Sequence, residues 1–192
     1  MARPTCPRCL LPLSTCLCAL VRPVANATEL LILQHPLEQG QAKNTARLLH
    51  LCLARSRLLV GERFEPAALA PLLEDTVLLY PGESAAPMPA RPRRLVVLDG
   101  TWRKSRKLLA LNPQLQALPR LGWQAPPPSR YRVRKAQQAH QLSTLEAAAL
   151  ALEELDGRSE PYEPLWLAFE GLMSALSRRA NRGVGDPAVV GE

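Results

Sequence analysis

Residues 95–102 read Leu-Val-Val-Leu-Asp-Gly-Thr-Trp. A short apolar run rich in valine predicts a buried strand over Leu95 to Leu98, and the basic segment behind it, with Leu108, Leu109 and Leu111, predicts a helix. In an α/β protein the loop leaving the carboxyl end of such a strand is where ligands are held. Asp99, placed on that loop with Thr101 and Trp102, is therefore the candidate reactive centre. Two blander readings compete: an Asp ahead of a helical run is a common N-cap, and a Trp beside a buried strand usually packs into the core.

Outward from this stretch, strands alternate with helices. Leu30 to Leu33 reads as the first strand, ended by His35-Pro36 because proline removes a ladder donor. Leu58 to Val60 and Val77 to Tyr80 read as strands, the latter stopped by Pro81-Gly82. Asn44 can cap a helix carrying Leu48, Leu51, Cys52 and Arg55, and a second helix is expected from about Pro66 to Leu73. Ser84 to Pro92 reads as a long Pro-rich and Ala-rich loop. Asn112-Pro113 interrupts the helix behind Trp102, the region to Ser129 reads as irregular, and Tyr131 to Lys135 reads as an edge strand or extended loop. Ser143-Thr-Leu-Glu146 is a capping box opening a helix with Leu145, Ala148, Ala149, Leu152 and Leu155 on one face. A last helix carries Leu165, Phe169, Leu172, Met173 and Leu176, and the polar tail, residues 181–192, is expected to be disordered.

The alternation predicts an α/β fold, a mostly parallel sheet with helices on both faces. In such a sheet the strand carboxyl ends share one edge, so His35, Tyr80 with Pro81 and Gly82, and Asp99 should converge there. His35, Glu38, Asn44 and Arg47 supply polar chemistry to the first loop, unless Asn44 is only a cap and Arg47 faces solvent.

A chain of 192 residues with 47% hydrophobic content suits one domain with a real core. No apolar stretch approaches the roughly 20 residues of a membrane span and no signal-peptide core follows the first Met, so a cytoplasmic protein without membrane contact is expected. The formal charge of +7 arrives in bursts, including Arg103, Lys104, Arg106, Lys107 and Arg130 to Lys135. Such clusters suit a polyanion, although solvated helix faces would read alike. With three Tyr, two Phe and three Trp, a broad base-stacking platform is not expected. A G-x-G-x-x-G after a strand and a G-K-[ST] are both absent, which argues against common nucleotide cradles.

Residues 1–25 lack the periodic apolar pattern that would hold them folded. They carry Cys6, Cys9, Cys16 and Cys18 as a C-x-x-C and a C-x-C, the donor set of a tetrahedral structural zinc site. Disulfides or a redox dithiol are the rivals, but a cytosolic chain disfavours disulfides and a redox motif needs only one C-x-x-C. Cys52, inside an apolar helical stretch, reads as a small buried hydrophobe.

The set Cys6, Cys9, Cys16, Cys18, then His35-Pro36-x-Glu38 with Asn44-Thr45-x-Arg47, then Asp99-Gly-Thr-Trp102, then Tyr131-x-x-Arg134 and Leu142-Ser-Thr-x-Glu146-Ala resembles the DTW-domain family over nearly the whole chain. Its resembling members include bacterial tRNA-uridine aminocarboxypropyltransferases. The resemblance implies a SPOUT-like fold with a carboxyl-terminal trefoil knot over residues 26–180. It also implies transfer of the 3-amino-3-carboxypropyl group of S-adenosylmethionine to N3 of a tRNA uridine, with methylthioadenosine released. Asp99, Thr101 and Trp102 would be catalytic. His35, Asn44, Arg47, Tyr80, Pro81, Gly82, Leu98, Arg134, Leu142, Ser143, Thr144 and Glu146 would hold the donor, and Arg103, Lys104, Arg106, Lys107 and Arg132 would hold tRNA. Between Arg134 and Leu142 the chain reads Lys-Ala-Gln-Gln-Ala-His-Gln where prolines are expected, a departure that bears on donor contacts. Competing functions are a non-catalytic zinc-containing RNA-binding module and an S-adenosylmethionine-dependent RNA methyltransferase. A monomer is the simplest state.

Overall fold

The computed structural model describes residues 4–41, 43–123, 129 and 142–182, the side chains of 180–182 excepted. Strands β1 (Glu29–Gln34), β2 (Ser56–Val60), β3 (Thr76–Leu79), β4 (Arg94–Asp99) and β5 (Arg120–Leu121) form one parallel sheet in the order β2-β1-β4-β3-β5. The helices are α1 (Thr45–Cys52), α2 (Pro66–Leu69), α3 (Trp102–Leu111), α4 (Pro113–Gln116), α5 (Thr144–Asp156) and α6 (Glu163–Arg182).

The two-residue period of a strand sorts the core onto two faces. Leu30, Ile32, Val77, Leu95 and Val97 pack in one apolar cluster with α1, α5 and α6. Leu31, Leu33, Leu78 and Val96 pack in another with Leu69 of α2, Leu115 of α4 and Leu118. Central β4 is covered on both faces, and each fully buried Leu or Val contributes about 1.5–3 kcal/mol. At the carboxyl end of α5, Asp156 accepts from the Ala27 and Thr28 amides at 2.9 and 3.1 Å, the Thr28 hydroxyl at 2.6 Å and the Tyr162 hydroxyl at 2.6 Å. This ties one end of α5 to the start of β1 and leaves its amino terminus over the carboxyl edge of the sheet.

Leu11 and Leu17 of the cysteine-rich segment belong to the same cluster as α6. The backbone lies close there: a Cβ added at Gly171 of α6 would sit 3.1 Å from Leu20. The Arg179 guanidinium also donates to the Ser14 carbonyl at 2.7 Å. The segment's apolar side chains thus extend the main core.

Several expectations change. Asp99 is the last residue of β4 rather than part of the loop, and Thr101, not Asp99, caps α3 by accepting from the Lys104 amide. The helix expected to Leu73 passes at Ala70–Leu72 into a 3₁₀ turn containing Pro71, which has no N–H to donate. The stretch before Ser129, read as irregular, contains β5, where the Leu78 and Tyr80 amides donate to the Pro119 and Leu121 carbonyls. The last helix runs to Arg182. Tyr131 to Lys135, with Arg132 and Arg134, and the tail beyond residue 182 lie outside the described residues. Among the described residues no helix is long and apolar enough to cross a membrane.

Candidate active site and cysteine cluster

Gln34 and Asp99 are register partners at the ends of β1 and β4. Strand alternation puts both side chains toward α1 and α5. The Gln34 amide nitrogen donates to Asp99 Oδ2 at 2.8 Å and to Asn44 Oδ1 at 3.2 Å, and the Thr144 hydroxyl donates to Asp99 Oδ1 at 2.6 Å. Asn44 Oδ1 also accepts from the Arg47 amide at 2.8 Å, the N-cap bond of α1, while Asn44 Nδ2 donates to the Glu38 and Gln39 carbonyls. Four element ends thus join in one network, in which Gln34 and Thr144 donate to the Asp99 carboxylate and Asn44 is linked to it through Gln34. Asp99 is 8% exposed. Burial pushes its carboxyl above the ordinary aspartate value, and the donors Thr144 and Gln34 pull against that shift without cancelling it.

His35 follows Gln34 and therefore faces the other side. Its Nδ1 accepts from the Leu37 amide at 3.2 Å, so Nε2 carries the proton and donates to Glu62 Oε1 at 2.8 Å. Lys107 binds Glu62 Oε2 at 2.6 Å and holds that carboxyl below its usual value. Lys104 binds Glu38 at 2.6 Å. Two of the five basic residues expected to grip nucleic acid, Lys104 and Lys107, are thus paired within the chain, Arg103 and Arg106 are exposed, and Arg132 lies outside the described residues. Arg47 is buried at 8% exposure rather than facing solvent, and its Nε has no hydrogen-bond partner among the described residues.

A cleft of about 410 Å³ opens at the carboxyl ends of β3, β4 and β5 and the start of α5. Tyr80, Pro81, Leu98, Trp102, Leu142, Ser143 and Thr144, all singled out from sequence, line it together with Gly122 and Trp123, which were not. Trp102 stands 52% exposed rather than in the core, edge-on to Tyr80 with ring centroids 6.1 Å apart, and the Arg120 guanidinium lies 5.5 Å from the Tyr80 ring. Ser143 and Glu146 are engaged in the predicted capping box, with the Ser143 amide donating to Glu146 at 2.9 Å and Ser129 donating to Glu146 at 2.9 Å. Gly82 has φ +107°, a conformation that favours glycine.

At Gly122 a Cβ would lie 3.0 Å from the Tyr80 carbonyl, so the cleft wall relies on close backbone approach. Gly122→Val is expected to cost roughly 1–3 kcal/mol by overpacking, read as a lower urea midpoint.

Gln34 is the hub that the sequence reading missed. The available signal was a single polar residue closing the run Glu29–Gln34, level with Asp99 although 65 positions from it in sequence.

Near the amino terminus, the Cys6 and Cys18 sulfurs lie 3.6 Å apart, Cys9 and Cys16 lie 3.7 Å apart, and all four fall within 4.8 Å of one another. A disulfide needs about 2.05 Å, whereas four thiolates about 2.3 Å from a tetrahedral zinc stand about 3.8 Å apart. The spacing therefore fits a metal ion. Amides at Cys9 and Arg8 lower the Cys6 thiol to about 6, and burial pushes Cys18 up to about 12. Cys52 is buried, accepting from the Arg22 amide at 3.4 Å.

A mouse protein called tRNA-uridine aminocarboxypropyltransferase 2 is 33% identical over 90% of this chain and 63% of its own length. The protein of that name from Macaca fascicularis is 30% identical over the same shares, and the one from Drosophila melanogaster is 34% identical over 82% of this chain and 69% of its own. The chain thus spans somewhat under two thirds of the mouse and macaque relatives. No solved structure matches it. The DTW domain model matches residues 3–177, and the chain belongs to the DTW domain family.

Proposed function

We propose that this protein is a tRNA-uridine aminocarboxypropyltransferase, moving the 3-amino-3-carboxypropyl group of S-adenosylmethionine to N3 of a uridine in tRNA. The observation that carries the reading is a buried carboxylate, Asp99, hydrogen-bonded to a residue lining an aromatic cleft, in a chain whose relatives bear that name. The donor would supply a sulfonium whose displaced sulfur leaves in methylthioadenosine. Asp99 serves the transfer at two points. Its charge favours a sulfonium nearby, and its raised proton affinity suits it to accept the N3 proton as the N3–C bond forms and the C–S bond breaks.

Tyr80, Pro81, Gly82, Leu98, Leu142, Ser143 and Thr144 hold the donor, with Arg47 and Arg134 for its carboxylate. Glu146 supports that pocket through its bond to the Ser143 amide, Asn44 caps α1 and joins it to Gln34, His35 fixes the turn after β1, and Thr101 starts α3. The exposed Trp102 stacks on the uridine at the cleft mouth. Trp102→Ala is expected to raise KM for tRNA about tenfold, with Trp102→Phe restoring most of it. Arg103 and Arg106 contact phosphates, with Lys104 and Lys107 beside them in sequence and Arg132 further along the chain. Changing both arginines to Ala should flatten the dependence of log affinity on log salt by roughly 1.5 to 2, measured by filter binding.

Zinc is the metal for the cysteine cluster, where it braces the knuckle of residues 1–25 against the catalytic unit of residues 26–180, with residues 181–192 as a tail. The fold is SPOUT-like with a carboxyl-terminal trefoil knot. The parallel order β2-β1-β4-β3-β5 is compatible with a SPOUT-like sheet, and the knot is what the family resemblance implies. A tRNA substrate suits a cytoplasmic enzyme.

Mass spectrometry of tRNA nucleosides after incubation with the protein and S-adenosylmethionine tests the reading. A uridine gaining one aminocarboxypropyl group, with methylthioadenosine released, is expected. Methylated nucleoside with S-adenosylhomocysteine would make the protein a methyltransferase instead. Bound but unchanged tRNA would make it an RNA-binding module.

A further inference from the structure

We infer that Gln34 is a positioning residue for the transfer, holding the Asp99 carboxylate ionised and oriented from beneath. The inference rests on the role proposed above for Asp99. Gln34 closes the strand Glu29–Gln34 behind four buried apolar residues and is itself fully buried. At such a place an unbranched apolar side chain would pack without any polar group to satisfy. The Gln34 carbonyl oxygen, Oε1, has no hydrogen-bond partner among the described residues, so this position keeps an amide despite an unmet acceptor.

The amide's other end shows what is kept. Its nitrogen faces two oxygens, Asp99 Oδ2 at 2.8 Å and Asn44 Oδ1 at 3.2 Å. Asn44 Oδ1 is fixed as an acceptor because it caps the Arg47 amide and because Asn44 Nδ2 is engaged by the Glu38 and Gln39 carbonyls. Both neighbours accept, so Gln34 must present its NH₂, and a flipped amide would set oxygen against oxygen. The two hydrogens of one group thus connect the α1 cap to the carboxylate. Glutamate could not repeat this: ionised it has no hydrogen to donate, and protonated it has one for two acceptors.

The charged groups around Asp99 leave the ionisation dependent on such donors. Glu38, from the turn after β1, raises the Asp99 carboxyl; Lys104, from α3, lowers it; and these two are paired with each other at 2.6 Å. The helices packed there bring Arg47 in the first turn of α1 and Glu146 in the first turn of α5. Thr144 and Gln34 are the direct donors, and Gln34 is the one fully buried.

The test is the pH profile of kcat for Gln34→Met in the full-length zinc-loaded protein, with tRNA and S-adenosylmethionine. Loss of the donor should lower kcat at least tenfold, leave KM for S-adenosylmethionine within about threefold, and move the acidic limb to higher pH, since activity needs Asp99 ionised. Thermal unfolding should be unchanged or improved. Gln34→Glu, of the same size, should move the limb further and supplies the same readout where Gln34→Met does not fold. An unmoved limb with near-normal kcat in a folded variant would overturn the inference, reducing Gln34 to packing. Two results point elsewhere: full activity of Asp99→Asn refutes the role of Asp99, and absence of the aminocarboxypropyl product with the unaltered protein refutes the proposed reaction.

Discussion

Asp99→Asn is expected to lower kcat by about 10²–10⁴-fold while leaving the protein as stable as its parent or more so. The two halves of this result have one cause. Burial raises the Asp99 carboxyl above its ordinary value, so the folded chain binds the proton more readily than the unfolded one. Ionised Asp99 therefore costs stability at every pH above its folded value, and the cost fades as pH falls through that value toward the unfolded one. An asparagine carries no such cost. It can accept from Gln34 through Oδ1 and donate through Nδ2 to the Thr144 hydroxyl, which can turn from donor to acceptor. Thermal unfolding at neutral and mildly acid pH would check the sign: the advantage of the variant should be larger at neutral pH. Paired with single-turnover rates, the experiment separates the charge from the shape of the side chain. A variant that melts early and transfers normally would contradict both halves.

Removing the metal is expected to have the largest effect on stability. Structural zinc supplies about 10–16 kcal/mol of apparent binding energy in small zinc-finger peptides, because the site barely exists without the ion. Here Cys9 is fully buried, and Leu11 and Leu17 lie in the cluster that includes α6 and the α1/α5 face of the sheet. Loss of the ion should thus loosen part of the main core along with the knuckle. Chelation, or Cys9→Ser, should lower the melting temperature by well over 10 °C, a loss of several kcal/mol, and zinc should restore the chelated protein but not the variant. Metal content by atomic absorption must track the melting temperature. Complete stripping with no change in melting would show the cluster to be dispensable to the fold.

The alternation of strands and helices was readable because each element carries enough apolar residues to show its period. Leu30 to Leu33 and Leu95 to Leu98 mark buried strands, and Leu145, Ala148, Ala149 and Leu152 mark a helix face. Strand β5 escaped notice because two residues hold no period, and its pairing comes from β3, some forty residues earlier. Trp102 could be read either as core or as surface, since local pattern does not say what covers a side chain at the start of a helix.

Residue types and their spacing by themselves determined the cysteine donor set, the parallel α/β class, and Asn44, Asp99 and the Ser143–Glu146 box as polar residues at element ends. These are local properties, written in periods, caps and short separations. Tertiary structure decided who meets whom. Register placed Gln34 against Asp99, strand alternation sent His35 to the opposite face from the residue before it, and Glu38 and Glu62 neutralised lysines that looked available for RNA. Those outcomes depend on contacts between residues as many as 66 positions apart, as between Lys104 and Glu38. Such contacts follow from how elements pack, and no local period carries that information.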